Sequence, residues 1–268
     1  MTTAFVFPGQ GSQTLGMGKA LAESHAIAKE TFEEVNDALA QDLTAIMWGE
    51  DADALNLTEN TQPALMAVSM AVTRVLEKEG GFSLKDKGSY VAGHSLGEYS
   101  ALTSVGTLEL ADTAKLLKLR GQAMQRAVPV GQGAMAAIIG LSFDDVEALT
   151  QDAGCELAND NSDGQVVISG SKETVEKACD IAKEKGAKRA LLLPVSAPFH
   201  CSLMAPAAKE MQEALNQTMI RPPFLPVVAN VTAQAEDDPN VIRQLLVEQI
   251  TGRVRWRESV QWMGDNGV

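Results

Sequence analysis

GSYVAGHSLGEYSALTSVG, residues 88–106, decides how the chain is read. It runs from a short apolar strand through a G-x-S-x-G turn into a helix. A turn this sharp tolerates little side chain at its flanks, and it lifts the serine hydroxyl above the sheet. The helix that follows offers backbone N–H groups to an oxyanion. Ser95 is therefore the candidate nucleophile, and the N–H of Leu96 is the candidate support for the charge that develops when it attacks. The competing reading is a glycine-rich structural turn.

Outward from this turn, strands and helices alternate. TAFVFPG (3–9) reads as a buried strand stopped by Pro8 and Gly9, followed by the polar loop GQGSQ. Residues 26–39 carry Phe32, Val35 and Leu39 at helical spacing with acids on the other face. TQPALMAVSMAVTRVLEKEGG reads as a buried helix with Pro63 in its first turn, and 109–127 as another that ends before Pro129. Towards the C-terminus come a helix around 202–216, a strand in LPVVANV, and helices in PNVIRQLLVEQI and WRESVQWMGDNG. This alternation predicts a parallel, doubly wound α/β sheet.

Residues of about 130–195 follow a different order. GAMAAIIG, CELANDN, GQVVISG and AKRALLLPVS are strand-like. Two amphipathic helices, capped by Ser142 and Ser171, separate the first strand from the second and the third from the fourth. The order βαββαβ predicts a ferredoxin-like unit. We therefore expect a large domain made of 1–128 and 196–268 and a small inserted domain at 129–195.

A chain of 268 residues, 45% hydrophobic and 21% charged, has the composition of a soluble globular protein. No apolar run reaches the roughly 18 residues that span a bilayer, and MTTAFVFPGQ lacks the basic start of a signal peptide. The expectation is a cytoplasmic protein that does not bind membranes. A net charge of −13 argues against nucleic acid as a partner. The three cysteines, Cys155, Cys179 and Cys201, have no C-x-x-C spacing, so core thiols are expected, with no metal site and no disulfide framework.

A nucleophilic serine needs a base, and the chain has three histidines. His25 lies in a polar helical stretch and reads as surface. His94 adjoins Ser95, but the turn that exposes the serine aims its neighbour elsewhere, so it is expected to pack beneath the elbow. His200 follows a predicted strand where the insert rejoins the large domain, and it is the candidate base, with a satisfied buried histidine as the other reading. No acid stands out as a third partner, and a backbone carbonyl serves equally well to orient the ring. Arg120 sits among Leu116, Leu117, Leu119 and Met124. A buried arginine there is either half of a structural ion pair or a planar fork for a carboxylate or phosphate.

FVFPGQGSQ, TQPAL, GHSLGE, LRGQAMQ, NDNSDGQVVISG and PVSAPFH, in that order over about 5–200, together resemble the malonyl-CoA:acyl carrier protein transacylase family. The resemblance implies an α/β-hydrolase-like large domain carrying the ferredoxin-like one. It implies Ser95 as the acylated nucleophile, His200 as its base, and the N–H groups of Gln10 and Leu96 as the oxyanion hole. Arg120 becomes the clamp for the free carboxylate of malonate, with Gln62, Met124, Asn161 and Phe199 also at the substrate. The implied partners are malonyl-CoA and acyl carrier protein, the cycle is ping-pong, and no cofactor is required. The implied pathway is fatty acid biosynthesis, and the implied state is a monomer.

The chain departs from the family at two places. GRVRW puts Arg255 where the family often has a glutamine before tryptophan; if the family's contact to the histidine runs through that residue's backbone carbonyl, the change of side chain need not abolish it, and the group that orients His200 stays open. The sequence ends at MGDNGV, whereas the family continues into a strand, a G-P-G type loop and a helix, so either a piece or an edge of the fold is expected to be missing. An acidic carrier meeting an acidic chain needs a local basic patch. Lys183, Lys185, Lys188 and Arg189, or the arginines of 253–257, are the candidates. A polyketide-type acyltransferase, a serine esterase or thioesterase, and a non-catalytic scaffold are the rival readings.

Overall fold

The computed structural model describes residues 2–195 and 197–268. The strands in chain order are β1 (Ala4–Phe7), β2 (Tyr90–Gly93), β3 (Gly133–Ile139), β4 (Glu156–Ser162), β5 (Gln165–Ser171), β6 (Arg189–Leu192), β7 (Val227–Val228) and β8 (Ala235–Glu236). They form two sheets, ordered β1-β2-β7-β8 and β4-β5-β3-β6.

In the first sheet β1, β2 and β7 are parallel, as the alternation predicts, and β8 closes a short antiparallel hairpin on β7. Helices Ala26–Leu39, Thr58–Lys78, Leu96–Ser104, Leu110–Ala127 and Ala205–Gln217 pack around one core that holds Phe32, Met66, Leu102, Leu117, Met124 and Met211. The Thr58–Lys78 helix starts earlier than its sequence suggests. Leu57 caps it, and Pro63 lies inside the helix rather than in its first turn. Burial decides this: Thr58 and the run Asn60–Met66 are all buried, and that packing outweighs the hydrogen bond a proline forfeits.

The expected strand in LPVVANV shrinks to Val227–Val228. Beyond it, Asn230 leaves the ladder and donates from Nδ2 to Gly93 O over 2.7 Å, taking over the end of β2 that a longer strand would have paired.

The second sheet is antiparallel throughout, and it uses residues 133–192 without interruption. Its helices begin at the expected serines: Ser142 accepts from Asp145 N, and Ser171 from Thr174 N, each cap worth about 1 kcal/mol. Ile138, Val146, Leu149, Ile168 and Val175 give this sheet a core of its own. The three cysteines are buried free thiols. The boundary expected between 195 and 196 falls at Ser196, which lies outside the described residues. No helix among the described residues is long and apolar enough to cross a membrane.

Candidate active site

Two glycines make the elbow possible. A Cβ on Gly93 would lie 1.9 Å from Gly97 O, and one on Gly97 would lie 2.4 Å from Phe7 O, so the turn, its helix and β1 meet backbone to backbone. Ser95 is held at φ 53°, and His200 at φ 56°. A positive φ outside glycine is uncommon and persists where the surroundings impose it. Here Ser95 N donates to Asn230 Oδ1 over 2.7 Å, and Gln249 Nε2 donates to Ser95 O over 3.0 Å.

His200 and Ser95, 105 residues apart, meet at 2.8 Å between Nε2 and Oγ. His200 Nδ1 lies 2.8 Å from Gln249 O. A carbonyl only accepts, so the proton is on Nδ1, and Nε2 is left free to receive the serine proton. The supporting carbonyl is therefore that of Gln249 and not of Arg255. Arg255 is drawn off to Glu258, and its own N–H donates to Asn230 O. Burial, and next the positive charge of Arg120, push the His200 pKa down to about 3, so the ring is neutral at ordinary pH.

Arg120 is 1% exposed. Its Nη1 donates to Gln62 Oε1 (2.9 Å), and its Nη2 donates to Gln249 Oε1 (2.8 Å) and to Ser95 Oγ (3.2 Å). Its Nε has no partner among the described residues. Met124 helps aim Gln62, whose Nε2 lies 3.9 Å from the Met124 sulfur. No carboxylate among the described residues pairs directly with this guanidinium, which settles the choice left open by the sequence against a structural ion pair. The buried Glu98 acts on it only at longer range. Burial raises the Glu98 carboxyl to about 7, although Asn230 N and Gln249 Nε2 both donate to it.

Gln10, Gln62, Ser95, Arg120, Met124, Phe199 and His200 line one cavity of about 110 Å³, together with Asn159 and Met135. The N–H groups of Gln10 and Leu96 have no acceptor among the described residues. Leu96 opens its helix, where the first N–H groups lack an intrahelical partner. Asn161 stands outside this cavity, in an adjoining groove of about 380 Å³, and Asn159 is the residue of β4 that reaches the inner space. His94 does not pack beneath the elbow. It lines both spaces, and its Nε2 donates to Asn161 Oδ1 over 2.9 Å, with its ring edge against Trp256. His25 joins two helices and pairs with Glu79 at 2.6 Å.

Sequence reasoning missed Asn230, Gln249 and Asn159. For Gln249 a signal existed: it falls on the apolar stripe formed by Ile242, Leu245, Leu246 and Ile250, where a polar residue needs a reason. Among the basic candidates, Arg253 and Arg255 pair with Glu258, Arg257 with Asp160, and Lys183 with Asp180. Lys185, Lys188 and Arg189 are exposed.

A serine on a strand–turn–helix elbow, a neutral histidine in contact with it and a buried cation beside both define an acyl transferase. The acyl transferase domain family matches residues 4–267, and the chain belongs to that family. Within it, the malonyl CoA-acyl carrier protein transacylase of Escherichia coli K12 is 47% identical over 269 residues, covering 99% of this chain and 86% of that protein. The Bacillus subtilis protein of the same name is 43% identical, covering 99% of this chain and 84% of its own length. Among solved structures, an acyl-carrier-protein-S-malonyltransferase from Bartonella henselae superposes with a TM-score of 0.98 at 55% identity, covering 100% of this chain and 86% of that one. A malonyl-transacylase solved in complex with its type II polyketide acyl carrier protein superposes with a TM-score of 0.96 at 44% identity, covering 100% of this chain and 87% of that one.

Proposed function

We propose that this protein transfers the malonyl group of malonyl-CoA to the phosphopantetheine thiol of acyl carrier protein, through a malonyl ester on Ser95, for fatty acid biosynthesis. One observation carries the reading: a buried arginine without a carboxylate partner donates directly to the nucleophile. A hydrolase of simple esters has no use for such a group, whereas a substrate with a free carboxylate supplies its missing partner.

Ser95 Oγ gives its proton to His200 Nε2 and attacks the thioester carbon. The N–H groups of Gln10 and Leu96 receive the oxyanion, and Gln249 O steadies the imidazolium through Nδ1. Collapse breaks the C–S bond, and the proton on His200 passes to the CoA thiolate. In the second half the carrier thiol gives its proton to His200 and attacks the ester, and Ser95 recovers a proton as it leaves. Arg120 holds the malonyl carboxylate against Gln62, and Met124 and Phe199 bound the chain. That carboxylate also offsets the charge that depresses His200, so binding the correct acyl group makes the base more basic.

The division into a ferredoxin-like unit at 129–195 and an α/β-hydrolase-like remainder belongs to the same reading, supported by the β4-β5-β3-β6 order and the parallel first sheet. A monomer belongs to the same reading, supported by the contacts that join Ser95, His200 and Arg120 within one chain. A cytoplasmic location belongs to the same reading, and the charge of −13 supports the lack of nucleic acid or membrane partners. Intact-mass measurement after brief exposure to malonyl-CoA tests the proposal. A gain of one malonyl group that is lost in Ser95→Ala and discharged by holo carrier protein is expected, and CoA release without either sinks it.

A further inference from the structure

A short strip of backbone ties β4 of the second sheet to the turn that follows β7 of the first. Val254 N donates to Ala158 O over 2.8 Å, and Val254 O accepts from Asp160 N over 2.9 Å, so the strip lies parallel to β4 at Asn159. The next residue, Arg255, donates from N to Asn230 O over 2.9 Å, and Asn230 Oδ1 in turn holds Ser95 N. Asn230 and this strip thus link the nucleophile to β4, beside the direct contact of its neighbour His94 with Asn161.

At this contact β4 is irregular. Its register against β5 shifts between Leu157 and Asn159, and again between Asp160 and Ser162. Bulges bend a strand and re-aim its side chains, and they interrupt the ladder that would otherwise fix its position. Asn159 is aimed into the cavity, and Asn161 into the outer groove. Asp160, between them, is fully buried and meets Arg257. Nε lies 3.0 and 3.1 Å from its two oxygens, and Nη2 lies 2.8 Å from Oδ2. The guanidinium groups of Arg253 and Arg257 also lie over the ring of Phe143, at 4.7 and 5.7 Å, where a helix of the second sheet begins.

We infer that Arg257 is a positioning residue. By forking onto Asp160 it fixes the bulged strand β4 at the wall of the cleft, and so sets the gap through which a thioester arm reaches Ser95. A planar fork fixes direction as well as distance, which a lysine does not. Ser95, His200 and Arg120 are each also held by Gln249, a route that does not run through the strip. Loosening β4 therefore weakens the capture of substrate and leaves the chemical step intact. The inference rests on the proposed malonyl transfer.

The test is steady-state and single-turnover malonylation of Ser95 by malonyl-CoA in Arg257→Lys and in the double variant Arg257→Met, Asp160→Asn. The double variant removes both charges of the pair at similar volume, which avoids stranding the buried Asp160. The expected result is a KM about tenfold higher in the double variant, an intermediate KM with lysine, and a saturating rate within about twofold of wild type. An unchanged KM, or a saturating rate that falls while KM holds, overturns the inference. Should the double variant not fold, Arg257→Lys decides alone on the same criterion. Wild-type protein that takes up no malonyl group would refute the proposed reaction itself, a result distinct from variants that match an active wild type.

Discussion

Arg120 touches Ser95: Nη2 donates to Oγ over 3.2 Å, while His200 Nε2 lies 2.8 Å from the same oxygen. The proposed clamp and the nucleophile are thus registered to one another by a direct contact. Arg120→Ala is expected to lower kcat/KM for malonyl-CoA by about 10²-fold, the value of one or two charge-assisted hydrogen bonds, while activity with acetyl-CoA changes little. Competition between the two thioesters measures this, and preserved selectivity would show that the carboxylate binds elsewhere.

Burial, and next Arg120, set the pH behaviour through His200. With the His200 pKa near 3, kcat/KM should stay flat far below the ordinary histidine range of about 6.5, because the free enzyme keeps its base neutral. Removing the positive charge in Arg120→Ala raises that pKa, so the acid limb of the variant should move towards higher pH. A limb near 6.5 in the wild type would contradict the burial of the ring.

Stability follows with opposite signs from two groups. His200 binds its proton less readily when folded, so stability is lost as pH falls from about 6.5 towards 3. Glu98 binds its proton more readily when folded, so stability is lost as pH rises from about 4.5 to 7. The two slopes oppose one another between about 4.5 and 6.5. Thermal melts should therefore show a shallow dependence there and a steep loss at lower pH, and His200→Asn should soften the acid fall.

Gln249 serves base and clamp at once, its backbone carbonyl on His200 and its side chain on Arg120, Glu98 and Ser95 O. Gln249→Leu keeps the carbonyl but strands buried polar partners, at about 1–3 kcal/mol for each one left unpaired. We expect a lower Tm and a kcat reduced about tenfold or more, with His200 still able to accept the serine proton. A fully active, equally stable variant would show the network to be incidental.

Lys188 and Arg189 lie at the start of β6, the strand whose continuation brings Leu193 and Val195 to the cavity. Reversing both to glutamate should raise KM for the carrier protein several-fold and steepen with lowered salt, without changing Ser95 malonylation at saturating malonyl-CoA. Equal KM values at low ionic strength would place the carrier on another face.

The division of labour between sequence and fold is visible at Ser95, His94 and Gln249. GHSLG fixed the elbow by itself, because a turn that brings Gly93 against Gly97 O leaves room for nothing larger, and a steric demand that local is written in neighbouring residues. The caps at Ser142 and Ser171 and the βαββαβ order were legible for the same reason, since each depends on residues within one turn or one strand. Adjacency could not say what His94 does. The structure turns it across the cleft onto Asn161, 67 residues away, and gives its place beside the serine to His200. The partner of His200 was beyond reach too, for a backbone carbonyl carries no side-chain signature, and only packing selects Gln249 over Arg255. What faces Arg120 was likewise a tertiary matter: its guanidinium's partners come from three separate segments, and the fold brings it two amides and a hydroxyl, with no carboxylate among the described residues.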